Sequence, residues 1–234
     1  MRKLKDTLVI IPIFNESRNI ERVIDNINKN YKEADILVVN DGSTDKTGEV
    51  IQNKNIFVVN HLFNMGIGTS FETGCKFALR NGYEYIVRID GDGQHDAVFI
   101  EKILLPIKNG EADISVGSRF LEESKHKTSP LRLIGIKVIE LLLYLMTGKK
   151  VTDPTSGFCA MDKKAFEFFS ENCVEDYPEP QILVYHKEFR IIEIPISVTK
   201  REYGASSITP LKSAYYMIKV LLSLILHIFR KGES

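Results

Sequence analysis

Two aspartates separated by one glycine are the residues of this sequence best suited to chemistry. Asp90 and Asp92 belong to the segment 90–95, Asp-Gly-Asp-Gly-Gln-His, which directly follows the apolar run 85–89. A run that is short and rich in β-branched residues predicts a buried strand. Open α/β sheets bind ligands at the carboxyl ends of their strands, and paired carboxylates there suit a hard divalent cation that also takes phosphate oxygens. Taken alone, the same residues are equally typical of a solvated acidic turn.

A second polar segment ends another apolar run. Asp41 follows the run 36–40 and is followed by Gly-Ser-Thr-Asp. A carboxylate at this position can accept hydrogen bonds from a ribose or a base edge. By itself, however, the segment is more typical of a turn and a helix cap. Pro12, Asn15 and Glu16 end the first apolar run and are expected at the same edge of the sheet.

Alternating elements must position these residues. Short apolar runs predict strands, and segments with helical periodicity lie between them. The strands are predicted at 7–13, 36–40, 56–60, 85–89, 114–117 and 191–196, and the helices at 18–28, 46–52, 69–81 and 98–109. Near-continuous apolar strands alternating with helices indicate an α/β fold, in which helices cover both faces of a mostly parallel sheet.

The composition excludes several classes of protein. The chain has 234 residues, 44% of them hydrophobic, which is enough for one large domain or one domain with an appendage. Its 31 basic residues balance 31 acidic ones, so the net charge does not indicate nucleic-acid binding. Cys75, Cys159 and Cys173 are too few for a disulfide framework or a zinc site. With no signal-peptide pattern at the N-terminus, we expect a cytoplasmic protein.

Two segments are more apolar than the surface helices of a soluble protein. They lie at 131–147 and 211–229, and Lys137, Glu140 and Lys219 interrupt them. Because of these charges neither is a clear bilayer span, and we expect both to lie at the inner face of the cell membrane. Burial in the core, or pairing with a second copy of the chain, would explain the same residues.

Seven short motifs, taken in their order along the chain, resemble those of a known protein family. The first four resemble family 2 glycosyltransferases with the GT-A fold, and the last three narrow the resemblance to the branch of dolichyl-phosphate mannose synthase and bacterial polyprenyl-phosphate glycosyltransferases. The motifs are Pro12-x-x-Asn15-Glu16, Asn40-Asp41-Gly42-Ser43-x-Asp45, Asn64-x-Gly66-x-Gly68, the segment 90–95, Gly117-Ser118-Arg119, Asp153-Pro154-Thr155-Ser156-Gly157-Phe158, and Arg201-x-x-Gly204-x-Ser206-Ser207.

The resemblance implies a fold and a reaction. It covers roughly residues 7–210 and implies a Rossmann-like GT-A domain at 1–210. The apolar sequence predicts an interface helix at 131–147 within this domain and an apolar, membrane-associated helix at 211–234. It also implies metal-dependent, inverting transfer of a hexose from a UDP- or GDP-sugar to a polyprenyl phosphate, with Mg²⁺ or Mn²⁺ as cofactor. A glycosyltransferase acting on a glycan hydroxyl, and a non-catalytic membrane scaffold that binds nucleotide sugars, remain the alternatives.

For the donor and the metal, the resemblance assigns residues one by one. Asp41 with Pro12, Asn15 and Glu16 would hold the nucleoside. Asp90 would lie near the ribose and the metal, Asp92 would ligate the metal, and Gln94 would complete the metal site. Arg201 would close over the donor diphosphate with Ser206 and Ser207, and a guanidinium there suits the charge of the leaving group.

For the acceptor, the resemblance assigns Arg119 to the phosphate. Many relatives also carry an arginine after Ser-Gly-Phe, whereas this sequence has Cys159. This difference shifts the expected phosphate contacts to Arg119, Arg132, Lys125 and Lys127.

Whether the reaction needs a catalytic base depends on the acceptor. A sugar hydroxyl needs a positioned base, whereas a phosphate monoester, with a second pKa of roughly 6, is already largely dianionic at neutral pH. Asp153 is the first candidate for a base or an organising residue, and Glu179 is the second. The segment around Asp153 is also a good turn sequence, so the sequence leaves its role open.

Overall fold

The computed structural model describes residues 5–52, 54–121, 130–172, 184 and 188–199. Seven strands and six α-helices lie in these ranges, and a single 3₁₀ turn, Ala97–Phe99, precedes the fourth helix. The strands are β1 Thr7–Ile13, β2 Ala34–Asn40, β3 Phe57–Asn60, β4 Tyr85–Arg88, β5 Ile114–Ser118, β6 Cys159–Asp162 and β7 Ile191–Pro195. The helices are α1 Ile20–Asn30, α2 Thr47–Gln52, α3 Ile67–Arg80, α4 Ile100–Lys108, α5 Pro130–Thr147 and α6 Lys163–Asn172.

The strands form one mostly parallel sheet in the order β3-β2-β1-β4-β6-β5-β7. Strand β6 pairs antiparallel with both β4 and β5, and the other pairs are parallel. The carboxyl ends of six strands therefore lie at one edge of the sheet, and β6 begins at that edge. This edge is where open α/β sheets bind ligands.

Helices cover both faces of the sheet, as the sequence predicts. Every residue of β1 and of β2 is buried, which explains why their sequences are almost continuously apolar. Buried side chains of α3, α5 and α6 pack on one face, and those of α1, α2 and α4 pack on the other. The α/β architecture and the two-sided helical covering are confirmed.

The predicted elements agree with the structure to within two residues at each end, but strand β6 and helix α6 have no predicted bounds. Strand β6 was not predicted, although it lies between β4 and β5 in the sheet. The predicted C-terminal helix at 211–234 lies outside the described residues.

Helix α5 has a buried side and an apolar exposed side. Ile139 and Leu143 pack in the core. The exposed apolar residues of α5 are Leu133, Ile134, Val138, Leu141, Tyr144 and Leu145. Within the described ranges, no helix combines the length and the hydropathy needed to cross a bilayer.

Candidate active site

Most of the predicted site residues that the structure describes lie at the carboxyl edge of the sheet. Asp41 follows β2, Asp90 and Asp92 follow β4, and Arg119 follows β5. Asp153 lies in the segment before β6, which returns to the same edge because β6 is antiparallel to its neighbours. The fold thus joins residues that are up to 112 positions apart in the sequence.

Asp90 lies among three buried groups. Its Oδ1 atom lies 3.5 Å from Nη2 of Arg88, and its Oδ2 atom lies 3.8 Å from Nδ1 of His95. The buried Oδ1 atom accepts no hydrogen bond from the described residues. Gly157 packs directly on this carboxylate, since a Cβ atom at position 157 would lie 2.6 Å from each carboxylate oxygen. The position of Asp90 therefore depends on the absence of a side chain at Gly157.

Asp92 lies on the same loop. Its Oδ1 atom accepts a hydrogen bond of 2.9 Å from the backbone N–H of Gln94. In the part of the chain that the structure describes, no three His, Cys, Asp or Glu side chains are grouped to hold a metal ion. Two carboxylates nonetheless fit Mg²⁺ or Mn²⁺ when substrate phosphates and water supply the other oxygen ligands. The buried Oδ1 atom of Asp90, which has no hydrogen-bond partner there, is consistent with that use.

His95 is the last residue of the loop that carries Asp90 and Asp92. Its ring is buried and stacks on Phe158 at a centroid distance of 5.3 Å. Burial lowers the pKa of His95 and outweighs the opposing effect of Asp90, so the imidazole is neutral at pH 7. The N–H of Thr199 donates a hydrogen bond of 2.9 Å to the carbonyl of Gln94, and this contact helps to hold the loop in place.

Asp41 makes several hydrogen bonds within the protein. It is 4% exposed, and its Oδ1 atom lies 2.7 Å from Nδ1 of His61. The backbone N–H groups of Met65 and Gly66 donate to its two oxygens at 2.9 Å each. Asp41 therefore fixes the loop that leads into α3. His61, which also contacts Thr73 Oγ1 at 3.0 Å, carried no signal in the sequence.

Asn15 connects the loops after β1 and β2. It has a positive φ of 57°, and its Oδ1 atom accepts hydrogen bonds from the N–H groups of Thr44 at 2.8 Å and Asp45 at 3.3 Å. Pro12 is buried within β1. The carbonyl of Glu16 accepts a hydrogen bond of 3.0 Å from the N–H of Ile20, so Glu16 lies at the start of α1.

Arg119 and Asp153 form a buried bidentate ion pair. Nε of Arg119 donates to Oδ2 of Asp153 at 2.6 Å, and Nη2 donates to Oδ1 at 2.8 Å. Nη2 also donates to Thr155 Oγ1 at 2.8 Å. Asp153 is fully buried, and the backbone N–H of Arg119 donates to it as well, at 3.0 Å. This pairing fixes the plane of the guanidinium group.

Several predicted residues cannot be compared with the structure. Those outside the described residues are Lys125, Lys127, Glu179, Arg201, Ser206 and Ser207. Arg132 lies in α5, but its side chain is outside the described part of the chain. Cys159, at the position where the resemblance implies an arginine, is buried in β6 and pairs with Arg88 of β4.

Known proteins are similar to this chain both in sequence and in fold. The profile described as "Glycosyl transferase family 2" matches residues 8–169. The UDP-N-acetylglucosamine–dolichyl-phosphate N-acetylglucosaminyltransferase of Methanococcus voltae is 29% identical, and the alignment covers 92% of this chain and 94% of that protein. The polyprenol monophosphomannose synthase of Mycolicibacterium smegmatis is 28% identical, with coverages of 94% and 87%.

A solved structure supports the fold independently. The glucosyl-3-phosphoglycerate synthase of Mycobacterium tuberculosis, crystallised with Mn²⁺, UDP and glucosyl-3-phosphoglycerate, superposes with a TM-score of 0.64 at 18% identity, covering 94% of this chain and 80% of that one. The fold and the family profile thus agree, and the relatives are named as a dolichyl-phosphate N-acetylglucosaminyltransferase and a polyprenol monophosphomannose synthase. The chain belongs to glycosyl transferase family 2 and is a glycosyltransferase with the GT-A fold.

Proposed function

We propose that this glycosyltransferase moves a hexose from a nucleoside-diphosphate sugar to a polyprenyl phosphate at the inner face of the cell membrane, with inversion at the anomeric carbon. The main support for this proposal is that the Asp90–Asp92 loop and the Arg119–Asp153 ion pair lie at the same edge of the sheet. One group suits a metal-bound diphosphate, and the other suits a phosphate. The names of the relatives, which include dolichyl-phosphate and polyprenol-phosphate sugar transferases, support the same acceptor class.

In the donor half of the proposed site, Asp90 and Asp92 hold Mg²⁺ or Mn²⁺, with Gln94 as a further ligand. A bound divalent cation would offset the negative charge that develops on the departing nucleoside diphosphate. Asp41 and the edge formed by Pro12, Asn15 and Glu16 hold the nucleoside.

The donor is covered by a predicted loop. Arg201, Ser206 and Ser207 close over the diphosphate, and this closure excludes water and limits hydrolysis.

In the acceptor half, Arg119 binds the phosphate, assisted by Arg132 and Lys125. Asp153 organises Arg119 rather than acting as a base, because both of its oxygens already accept hydrogen bonds from that guanidinium. An Asp153 that is paired in this way suits a phosphate acceptor, which is largely dianionic at neutral pH and needs no base. A glycan hydroxyl would instead need a carboxylate placed to remove its proton.

The exposed side of α5 supports contact with a membrane. Leu145 is 69% exposed and Leu141 is 58% exposed. Lys137, Lys149 and Lys150 lie on or just after the same helix and suit anionic lipid headgroups. An apolar side with nearby lysines is typical of helices that lie in the membrane interface. The helix would thereby bring the site close to a lipid-linked acceptor.

A transfer assay tests the reaction. Radiolabelled UDP- and GDP-sugars are incubated with undecaprenyl phosphate in detergent, with and without Mn²⁺ or Mg²⁺. We expect metal-dependent label in the lipid fraction. Asp92→Asn should abolish this transfer, whereas Asp96→Asn should preserve it, because Asp96 only caps the following 3₁₀ turn and asparagine caps equally well. Donor hydrolysis without lipid product would favour a glycan acceptor, and binding without any turnover would favour a scaffold.

Vesicle flotation tests the membrane contact. Leu145→Glu should reduce binding to vesicles that contain phosphatidylglycerol. The matched control is Leu105→Glu, a similar exposed leucine on α4, which packs on the opposite face of the sheet. Equal binding by both variants and the wild type would contradict the assignment of α5 to the membrane surface.

A further inference from the structure

Glu193, on the edge strand β7, contacts the segment that carries Asp153. Its Oε2 atom accepts hydrogen bonds from the N–H of Thr152 at 2.8 Å and from Thr152 Oγ1 at 3.1 Å. Its Oε1 atom accepts a hydrogen bond from the N–H of Asp153 at 2.8 Å. One carboxylate thus fixes two successive backbone amides at the start of the segment that leads into β6.

Two series of hydrogen bonds connect this carboxylate with Arg119 and with the residues that flank Arg119 in the sequence. One passes through Asp153, which pairs with the guanidinium group and with the backbone N–H of Arg119. The other passes through Thr152 Oγ1 to Ser118 Oγ, 2.6 Å away, and that oxygen accepts a hydrogen bond of 3.2 Å from the N–H of Phe120. The residues on both sides of Arg119 are therefore connected to Glu193.

This arrangement places a carboxylate where its charge is unfavourable. Burial raises the pKa of Glu193, although the hydrogen bonds from Thr152 and Asp153 oppose that effect. Buried charged groups stabilise a fold poorly compared with apolar side chains of similar volume. Stability alone is therefore a weak explanation for a glutamate at this position.

We propose that Glu193 is a positioning residue for the acceptor step, acting through Asp153 to hold the Arg119 guanidinium in place. This inference rests on the proposed function, because it takes Arg119 as the residue that binds the acceptor phosphate. Glu193 has no contact with Asp90 or Asp92 among its hydrogen bonds, so its effect falls on the acceptor and leaves the donor unchanged.

The test uses Glu193→Gln in the full-length protein. Glutamine has the same shape but offers one acceptor oxygen, so it cannot accept from both amides through two separate oxygens. We expect kcat/KM for polyprenyl phosphate to fall roughly tenfold to a hundredfold, as for other small misplacements of a binding group. The KM for the nucleotide sugar should stay within about twofold.

The matched control is Asp35→Asn. Asp35 is a buried carboxylate that, like Glu193, accepts a backbone hydrogen bond, in this case from Lys5, but it lies on β2 away from this network. It should lower the melting temperature without changing the acceptor kinetics. Equal losses for the donor and the acceptor in Glu193→Gln would overturn the inference, since a merely structural role would produce them.

A double-mutant cycle tests whether Glu193 acts through Arg119. Arg119→Lys removes the bidentate pairing, so Glu193→Gln should have little further effect on kcat/KM in that background. Full additivity of the two losses would contradict the proposal.

Hydrogen exchange separates this inference from the proposed function. The backbone N–H groups of residues 152, 153, 155, 119 and 120 should exchange faster in Glu193→Gln than in the wild type, whereas Asp35→Asn should leave their exchange unchanged. If Arg119→Lys leaves the acceptor kinetics unaltered, the proposed acceptor site is wrong. Unchanged exchange in Glu193→Gln contradicts the positioning role whatever the acceptor is.

Discussion

Gly157→Ala is a direct test of the site, because it adds a single methyl group against the Asp90 carboxylate. The added Cβ atom would lie 2.6 Å from both carboxylate oxygens and 2.9 Å from Cγ. Ordinary van der Waals contact begins at 3.4 Å, so the carboxylate must retreat by about 0.8 Å. Gly157 does not have a positive φ, so alanine causes no backbone strain. We therefore expect the Asp90 side chain to move away from the added methyl group.

A shift of this size should reduce the rate strongly and the stability little. Misplacing a reacting or binding group by about 1 Å can cost roughly a hundredfold in rate. We expect kcat/KM for the nucleotide sugar to fall by about tenfold to a hundredfold, and the concentration of Mn²⁺ needed for half-maximal activity to rise. Steady-state transfer kinetics over a Mn²⁺ titration measure both quantities.

The control is Gly48→Ala, which lies in α2 with no atom within 4 Å of its added Cβ. It should leave the kinetics unchanged and stabilise the fold by about 0.5–1 kcal/mol, since alanine is the better helix former. Wild-type kinetics and metal dependence in Gly157→Ala would refute the assignment of Asp90 to the donor site.

Three other perturbations have defined outcomes. Asp41→Asn should destabilise the fold by about 1–3 kcal/mol in urea unfolding, because an amide nitrogen in place of Oδ1 can no longer accept hydrogen bonds from His61 and from the backbone N–H of Met65. The Arg190 hydrogen bonds lower the pKa of Asp113, so its stabilising effect is present above about pH 4 and is lost as the pH falls through the lowered pKa. The melting temperatures of Asp113→Asn and the wild type should therefore differ at pH 7, and the difference should shrink progressively below about pH 4. Removing divalent metals with EDTA should weaken nucleoside-diphosphate binding to the wild type in calorimetry, but not to Asp92→Asn.

Most of the fold could be predicted because burial dictates the sequence of its central strands. Strand β1 has buried residues at every position, and β2 does too, so both are almost continuously apolar. The amphipathic helix α1 has buried residues at the helical spacing of 20, 23, 24 and 27. Such local patterns do not depend on distant parts of the chain.

Strand β6 could not be predicted in this way. Its sequence, Cys-Ala-Met-Asp, has four residues, none of them β-branched or aromatic. It forms a strand because the gap between β4 and β5 gives it a hydrogen-bonding partner on each side. That tertiary influence overrides a weak local propensity.

Sequence patterns also could not predict which side chains of the site pair with each other. The motifs indicated Asp153 and Arg119 separately, but left Asp153 either as a base or as an organising residue. The choice depends on where the guanidinium lies, and that contact spans 34 residues. Glu193 and His61 gave no signal, since each matters only through residues at least 12 positions away in the sequence.

Strand β6 also explains how the two halves of the proposed site are connected. Because it runs antiparallel, the segment before it returns to the carboxyl edge and passes both groups of charged residues. At one end of this segment Asp153 holds Arg119, and at the other Gly157 packs on Asp90. Each end of this segment therefore contacts a different group, the proposed acceptor cation at position 153 and the proposed donor carboxylate at position 157. If the proposed function is correct, substitutions at its two ends should affect different substrates, with position 157 governing the donor and position 153 the acceptor.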